Sequence, residues 1–171
     1  MEQPTSYERF PTWIVVLCNL VTLSIYALGG YILAGFGIPV LILYLLYCLG
    51  TEIRILRTSC VDCAYYGELC GLGKGKLCAL FFKKGDPNRF AEKQVSWLDI
   101  LPDFMVTIFP LVGGIVRLIR DFSWLLVAAL AVLVALSFVG NAVIRGSFAC
   151  KYCRQREIGC PAEKLFGDAG S

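Results

Sequence analysis

Phe122-Ser-Trp-Leu-Leu-Val-Ala-Ala-Leu-Ala-Val-Leu-Val-Ala-Leu-Ser-Phe-Val-Gly-Asn-Ala-Val-Ile144 contains no charged residue. As a helix such a run rises about 1.5 Å per residue and is long enough for roughly 30 Å of hydrocarbon. In lipid every backbone amide must be satisfied within the protein, so an apolar run of this length reads as a transmembrane helix. Three more runs have the same character: Thr12 to Leu33, Phe36 to Leu56 and Trp97 to Leu118. They account for a chain of 171 residues that is 57% hydrophobic, with a mean hydropathy of +0.68. A soluble domain of this size is less apolar and spreads its apolar residues more evenly. The expected fold is therefore an all-α membrane protein with four transmembrane helices. The first run reads as a retained span and not as a cleaved leader. Glu2, Glu8 and Arg9 precede it in place of a basic stretch, and a second span follows almost at once.

Lys and Arg set the expected orientation. Arg54, Arg57, Lys74, Lys76, Lys83, Lys84, Arg89 and Lys93 cluster between the second and third runs, and Arg145, Lys151, Arg154, Arg156 and Lys164 follow the fourth. The turn after the first run is uncharged, and the turn after the third offers only Arg117 and Arg120. Both termini and the central loop are expected to be cytoplasmic, in an integral protein of the cell membrane. The net charge of +3 is then topology and attraction to lipid, not nucleic-acid binding.

The chain also reads as an internal duplication. Trp13 and Gly29-Gly30 recur at one constant offset as Trp97 and Gly113-Gly114, and Gly50 and Cys60 recur at a second as Gly140 and Cys150. Each unit is a helical hairpin followed by a cysteine-rich segment: hairpin 1–56, cytoplasmic loop 57–96, hairpin 97–145, cytoplasmic tail 146–171. Two spans per unit keep the copies in one orientation, related by a pseudo-twofold along the membrane normal.

The cysteines carry the chemistry. Cys60-Val-Asp-Cys63, then six residues, then Cys70 matches Cys150-Lys-Tyr-Cys153, six residues and Cys160 in both spacings. Paired CxxC turns let two thiolates converge on one ion while turn amides hydrogen-bond the sulfurs. Cytoplasmic thiols stay reduced, so metal is the stronger reading and a disulfide framework the weaker. Lys74, Lys76, Lys151, Arg154 and Arg156 flank the sulfurs and would favour thiolate. The spacing resembles the fungal binuclear Zn2Cys6 cluster. That resemblance covers the two motif segments alone and implies two zinc ions bridged by Cys60 and Cys150, with Cys63, Cys70, Cys153 and Cys160 as terminal ligands. Two spans separate the halves here, so DNA binding does not follow. The rival is an iron–sulfur cluster, for which Cys160-Pro161 resembles the ferredoxin Cys-Pro ending and Cys78 is a fourth candidate ligand beside Cys60, Cys63 and Cys70. The compact ferredoxin cysteine run is absent. Zinc is the first expectation for the metal.

Polar residues within the spans suggest a second locus. Cys18 and Cys48 are expected at similar depth, Asn19 matches Asp103 in the repeat, and Asp99 lies one turn before Asp103. Ionisable groups at this depth usually face a bundle interior, and Pro102 and Pro110 free backbone carbonyls there. One reading gathers Cys18, Asn19, Cys48, Asp99 and Asp103 into an intramembrane polar pocket. The plainer one leaves the aspartates at the interface, paired with Lys or Arg, and the cysteines as packing residues. Gly71-Leu-Gly-Lys-Gly-Lys76 fails the phosphate-loop pattern, since Glu68 stands at the first glycine position and no Ser or Thr follows Lys74. It reads as a flexible loop, with Phe81 to Lys84 lying along the membrane.

The chain has no histidine, which excludes bis-His haem, His-ligated zinc hydrolysis and Ser–His–Asp catalysis within it. No general base stands out, so an enzyme is not the expectation. Three functions remain open: a metal-binding module that anchors a cytoplasmic partner or assembles with itself through its glycine pairs, an iron–sulfur electron carrier to a quinone, and a soft-metal transporter.

Overall fold

The computed structural model describes residues 6–93 and 95–161. Among them the regular structure is helical, apart from one isolated bridge between Tyr7 and Cys153. The long helices are α1 (Thr12–Ala34), α2 (Ile38–Ile55), α5 (Trp97–Arg120) and α6 (Trp124–Ala135). Both α2 and α6 run on in wider π-type turns, α2 through Leu56–Cys60 and α6 through Leu136–Cys150. All four continuous helices are long and apolar enough to cross a membrane. By composition alone the second and fourth runs end at Leu56 and Ile144. The helices extend to the first cysteine of each motif, because Arg54, Arg57 and Arg145 lower the hydropathy without breaking helical geometry.

Three short helices lie between or after the spans: α3 (Lys74–Phe81), α4 (Pro87–Glu92) and α7 (Gln155–Ile158). Asp86 caps α4 by accepting from the Asn88 amide at 3.0 Å, and Pro87 fits the first helical position. The uncharged turn Gly35–Gly37 joins α1 to α2, and Gly37 takes φ +110°, open to glycine and strained for other residues.

The core of the bundle is Val21, Ile25, Ile32, Leu33, Tyr44, Cys48, Val106, Leu126, Ala129, Leu130 and Leu133. Leu23, Leu43, Leu46, Ile119, Val132 and Val139 instead face outward. An apolar exterior around an apolar core is what a bilayer environment selects. Pro110 cannot donate to the carbonyl four residues back, which is Val106; the Tyr44 hydroxyl donates to it at 3.0 Å. Gly29 makes the room, since a Cβ there would overlap the Tyr44 ring. A Cβ at Gly30 would crowd Leu41, at Gly113 Leu33 and at Gly114 Leu130. Both glycine pairs, expected from sequence to serve self-association, are used for close packing within one chain.

Candidate functional site

The two cysteine segments meet at one end of the bundle, where the helices arising from α2 and α6 stop. Each opens with the same turn. The Cys63 amide donates to the Cys60 carbonyl at 3.4 Å, and Cys153 to Cys150 at 3.2 Å. The next bonds match as well, Tyr66 to Cys63 and Arg156 to Cys153, both at 3.0 Å. Within these turns the Cys63 sulfur accepts from the Tyr65 amide and the Cys153 sulfur from the Gln155 amide. A third amide, of Gly75, donates to the Cys70 sulfur at 3.4 Å. Amides aimed at sulfur are the usual outer shell of a metal thiolate.

The segments are stitched together. The Gln155 side-chain oxygen accepts from the Ala64 amide at 2.8 Å, and the Tyr65 hydroxyl accepts from the Arg154 amide at 2.9 Å while donating to the Tyr7 carbonyl. The stretch before α1 is the third strand of the seam. Tyr7 donates to the Tyr152 carbonyl at 3.0 Å, Phe10 to that of Leu69 at 2.9 Å, and Arg9 pairs with Glu68 at 2.7 Å. Beneath lies a small apolar cluster of Phe10, Ile14, Cys18, Tyr65 and Ala149, with Cys63, Cys70 and Cys153 packed on it.

Burial raises the Cys63 thiol, and neighbouring Cys70, Cys160 and Cys78 raise it further. The Cys153 thiol is pushed up to about 12, first by burial, with Cys63, Cys150 and Cys160 adding to it. Cys60 in turn lies within electrostatic reach of Cys63, Cys70 and Cys78. Cys63 and Cys153 therefore sense cysteines of both segments, and without a cation they stay protonated at neutral pH. The sulfurs are neighbours and not a closed coordination shell: among the described residues no three cysteine or carboxylate side chains stand close enough to hold an ion. Cys150 is exposed, Cys60, Cys70 and Cys160 are partly buried, and Cys78 is fully buried within α3, where its thiol donates to the Leu56 carbonyl at 3.5 Å.

Each polar residue expected in the intramembrane pocket has partners of its own. Cys18 belongs to the small cluster under the cysteine segments, whereas Cys48 lies in the bundle core. Asn19 spends its amide on the carbonyls of Val15 at 2.7 Å and Leu72 at 3.2 Å. Asp99 completes the capping box that starts α5, accepting from the Ser96 amide at 2.9 Å. Asp103 pairs with Arg54 at 3.2 Å.

A different polar group fills the space below the cysteines. Lys74, 9% exposed, reaches Glu52 at 2.6 Å, and the Tyr26 hydroxyl donates to the same carboxylate at 2.7 Å. Arg145 donates to the Thr22 hydroxyl at 2.7 Å, while its Nε and the Asn141 Oδ1 are buried without a partner among the described residues. The expectation of a flexible loop at Gly71–Lys76 is thereby corrected. Gly73, at φ +70°, starts α3, Gly75 packs on the carbonyls of Tyr65 and Glu68, and Lys74 is drawn down by Glu52. Sequence reasoning passed over Glu52, although a lone carboxylate between apolar turns of a span was a signal for a buried partner.

A comparison with protein-family models, curated proteins and solved structures finds no match for the chain. The fold and this seam define an all-helical protein with four candidate membrane spans and a cysteine-rich end.

Proposed function

We propose that the protein is an integral membrane metal-binding module in which both cysteine segments together hold zinc, in a binuclear cluster of six thiolates. Cys60, Cys63, Cys70, Cys150, Cys153 and Cys160 are the ligands, with Cys78 an internal packing residue. One observation carries the reading: the two CxxC turns share their hydrogen bonds, present amides to equivalent sulfurs and lie side by side. The donor set suits the ion, since six soft sulfurs with no histidine favour zinc or iron–sulfur over harder metals. Bound zinc would supply a structural cross-link and no redox chemistry. The two hairpins are then a duplication whose copies the metal joins, with the termini and the central loop in the cytoplasm, and the cysteine face offers a cytoplasmic partner a rigid surface.

Thiol alkylation of the full-length protein in detergent tests this. Added zinc should protect cysteines of both segments together, and Cys150→Ser should expose Cys63 and Cys70 as well as Cys153 and Cys160. Protection confined to one segment would end the composite site. A brown protein containing iron and sulfide would move the assignment to the electron carrier.

A further inference from the structure

At the end of the bundle opposite the cysteines, a cavity of about 260 Å³ opens between the α1–α2 turn and the α5–α6 turn. Arg117, Arg120, Asp121 and Ser123 line its polar side, and Tyr31 and Phe36 its aromatic side. Arg117 is fixed there: it donates to the Ile32 carbonyl at 2.8 Å, and its guanidinium lies so close over Gly35 that a Cβ at that position would overlap it. Among the described residues neither Arg117 nor Arg120 has a carboxylate at ion-pair distance, Asp121 included. Two guanidiniums against one carboxylate leave a single net positive charge.

The surroundings say which anion fits. The cavity sits at the level where α1 and α5 end and α2 and α6 begin, and the ends of helices long enough to span about 30 Å of hydrocarbon fall at headgroup depth. Phe122 and Trp124 stand beside it edge to face at 5.2 Å, with Trp124 78% exposed, as interfacial aromatics do. Ile38 and Ile119, next along the helices, are outward-facing apolar surface on which acyl chains can lie. Basic pockets between helices recognise anionic headgroups chiefly on the cytoplasmic side of membranes, and the same pairing of guanidinium with phosphate applies at this end. We infer that this cavity binds the phosphodiester of an anionic phospholipid from the leaflet opposite the cysteine segments, with Arg120 as the principal contact and Arg117 as the fixed cation beside it. A singly charged phosphodiester balances the net charge of the site. This inference does not depend on the metal.

The full-length protein, reconstituted in mixed phosphatidylglycerol and phosphatidylcholine vesicles and then extracted, allows retained lipids to be counted by native mass spectrometry. Wild type should retain phosphatidylglycerol preferentially, and Arg120→Gln should weaken that preference about fivefold, the effect of removing one interfacial charge. Arg120→Lys should keep part of it. Lys84→Gln, which removes the same charge at the cysteine end, should leave it unchanged. Absence of headgroup preference in wild type, an unchanged preference in Arg120→Gln, or an equal loss in Lys84→Gln would overturn the assignment. Displacement of the lipid by millimolar inorganic phosphate would do so too, by making the cavity a soluble-anion site.

Discussion

Tyr44 shows how single residues hold this bundle together. Pro110 frees the Val106 carbonyl, Tyr44 satisfies it, and Gly29 lets the ring in. Tyr44→Phe should therefore destabilise the protein in detergent by about 1–2 kcal/mol, the cost of an unsatisfied buried carbonyl, read as a lowered unfolding midpoint. Gly75→Ala should be worse, because the added Cβ meets the carbonyl oxygens of Tyr65 and Glu68 in backbone that cannot yield. Loss of the amide on the Cys70 sulfur would follow. The cysteine spacing was legible residue by residue, as was the freeing of a carbonyl by Pro110. The acceptor's partner was not, since Tyr44 lies far from Val106 in sequence and only helix packing unites them. The raised thiols give a pH prediction. Cys153 in the metal-free protein favours its neutral form, so its contribution to stability is complete below the ordinary thiol value of 9.0 and is lost as pH rises through about 12. The metal-loaded protein should behave oppositely, shedding zinc as acid protonates the thiolates. Thermal unfolding with and without chelator across that range checks both signs.

At the scale of elements, α3 is the part the sequence concealed most. Its eight residues contain three glycine or lysine positions that suggest a solvated loop, and the apolar Leu77, Leu80 and Phe81 that face outward. What makes it a helix pinned to the bundle is tertiary: Glu52 on α2 draws Lys74 inward, and Cys78 fills the space against Leu56. Breaking a largely buried pair from one side leaves a stranded charge. Lys74→Met alone and Glu52→Met alone should each destabilise the protein by about 3 kcal/mol, whereas the two together should recover most of that loss. Equal, additive losses in a double-mutant cycle would show that the two do not act as a pair. The four long helices, by contrast, were legible almost to their ends, because lipid leaves composition and length little freedom. Which neighbours the polar residues of the spans would meet was not legible, because a shared depth along two helices does not set the face each residue occupies; Cys18 and Cys48 joined different clusters.

In the whole molecule, a bundle packed by glycines and tyrosines meets a seam in which the stretch before α1 and the two cysteine segments are interlocked. The seam explains why a motif repeated at distant positions can act as one site. An ion held by both segments, as proposed, would tie the end of α2 to the end of α6. Zinc and iron content per chain, measured by elemental analysis of anaerobically purified protein, tests that claim most directly. About two zinc ions per chain in a colourless protein are expected, falling in Cys63→Ser and in Cys153→Ser alike. Metal-free wild-type protein in which the six cysteines titrate as free thiols would contradict it.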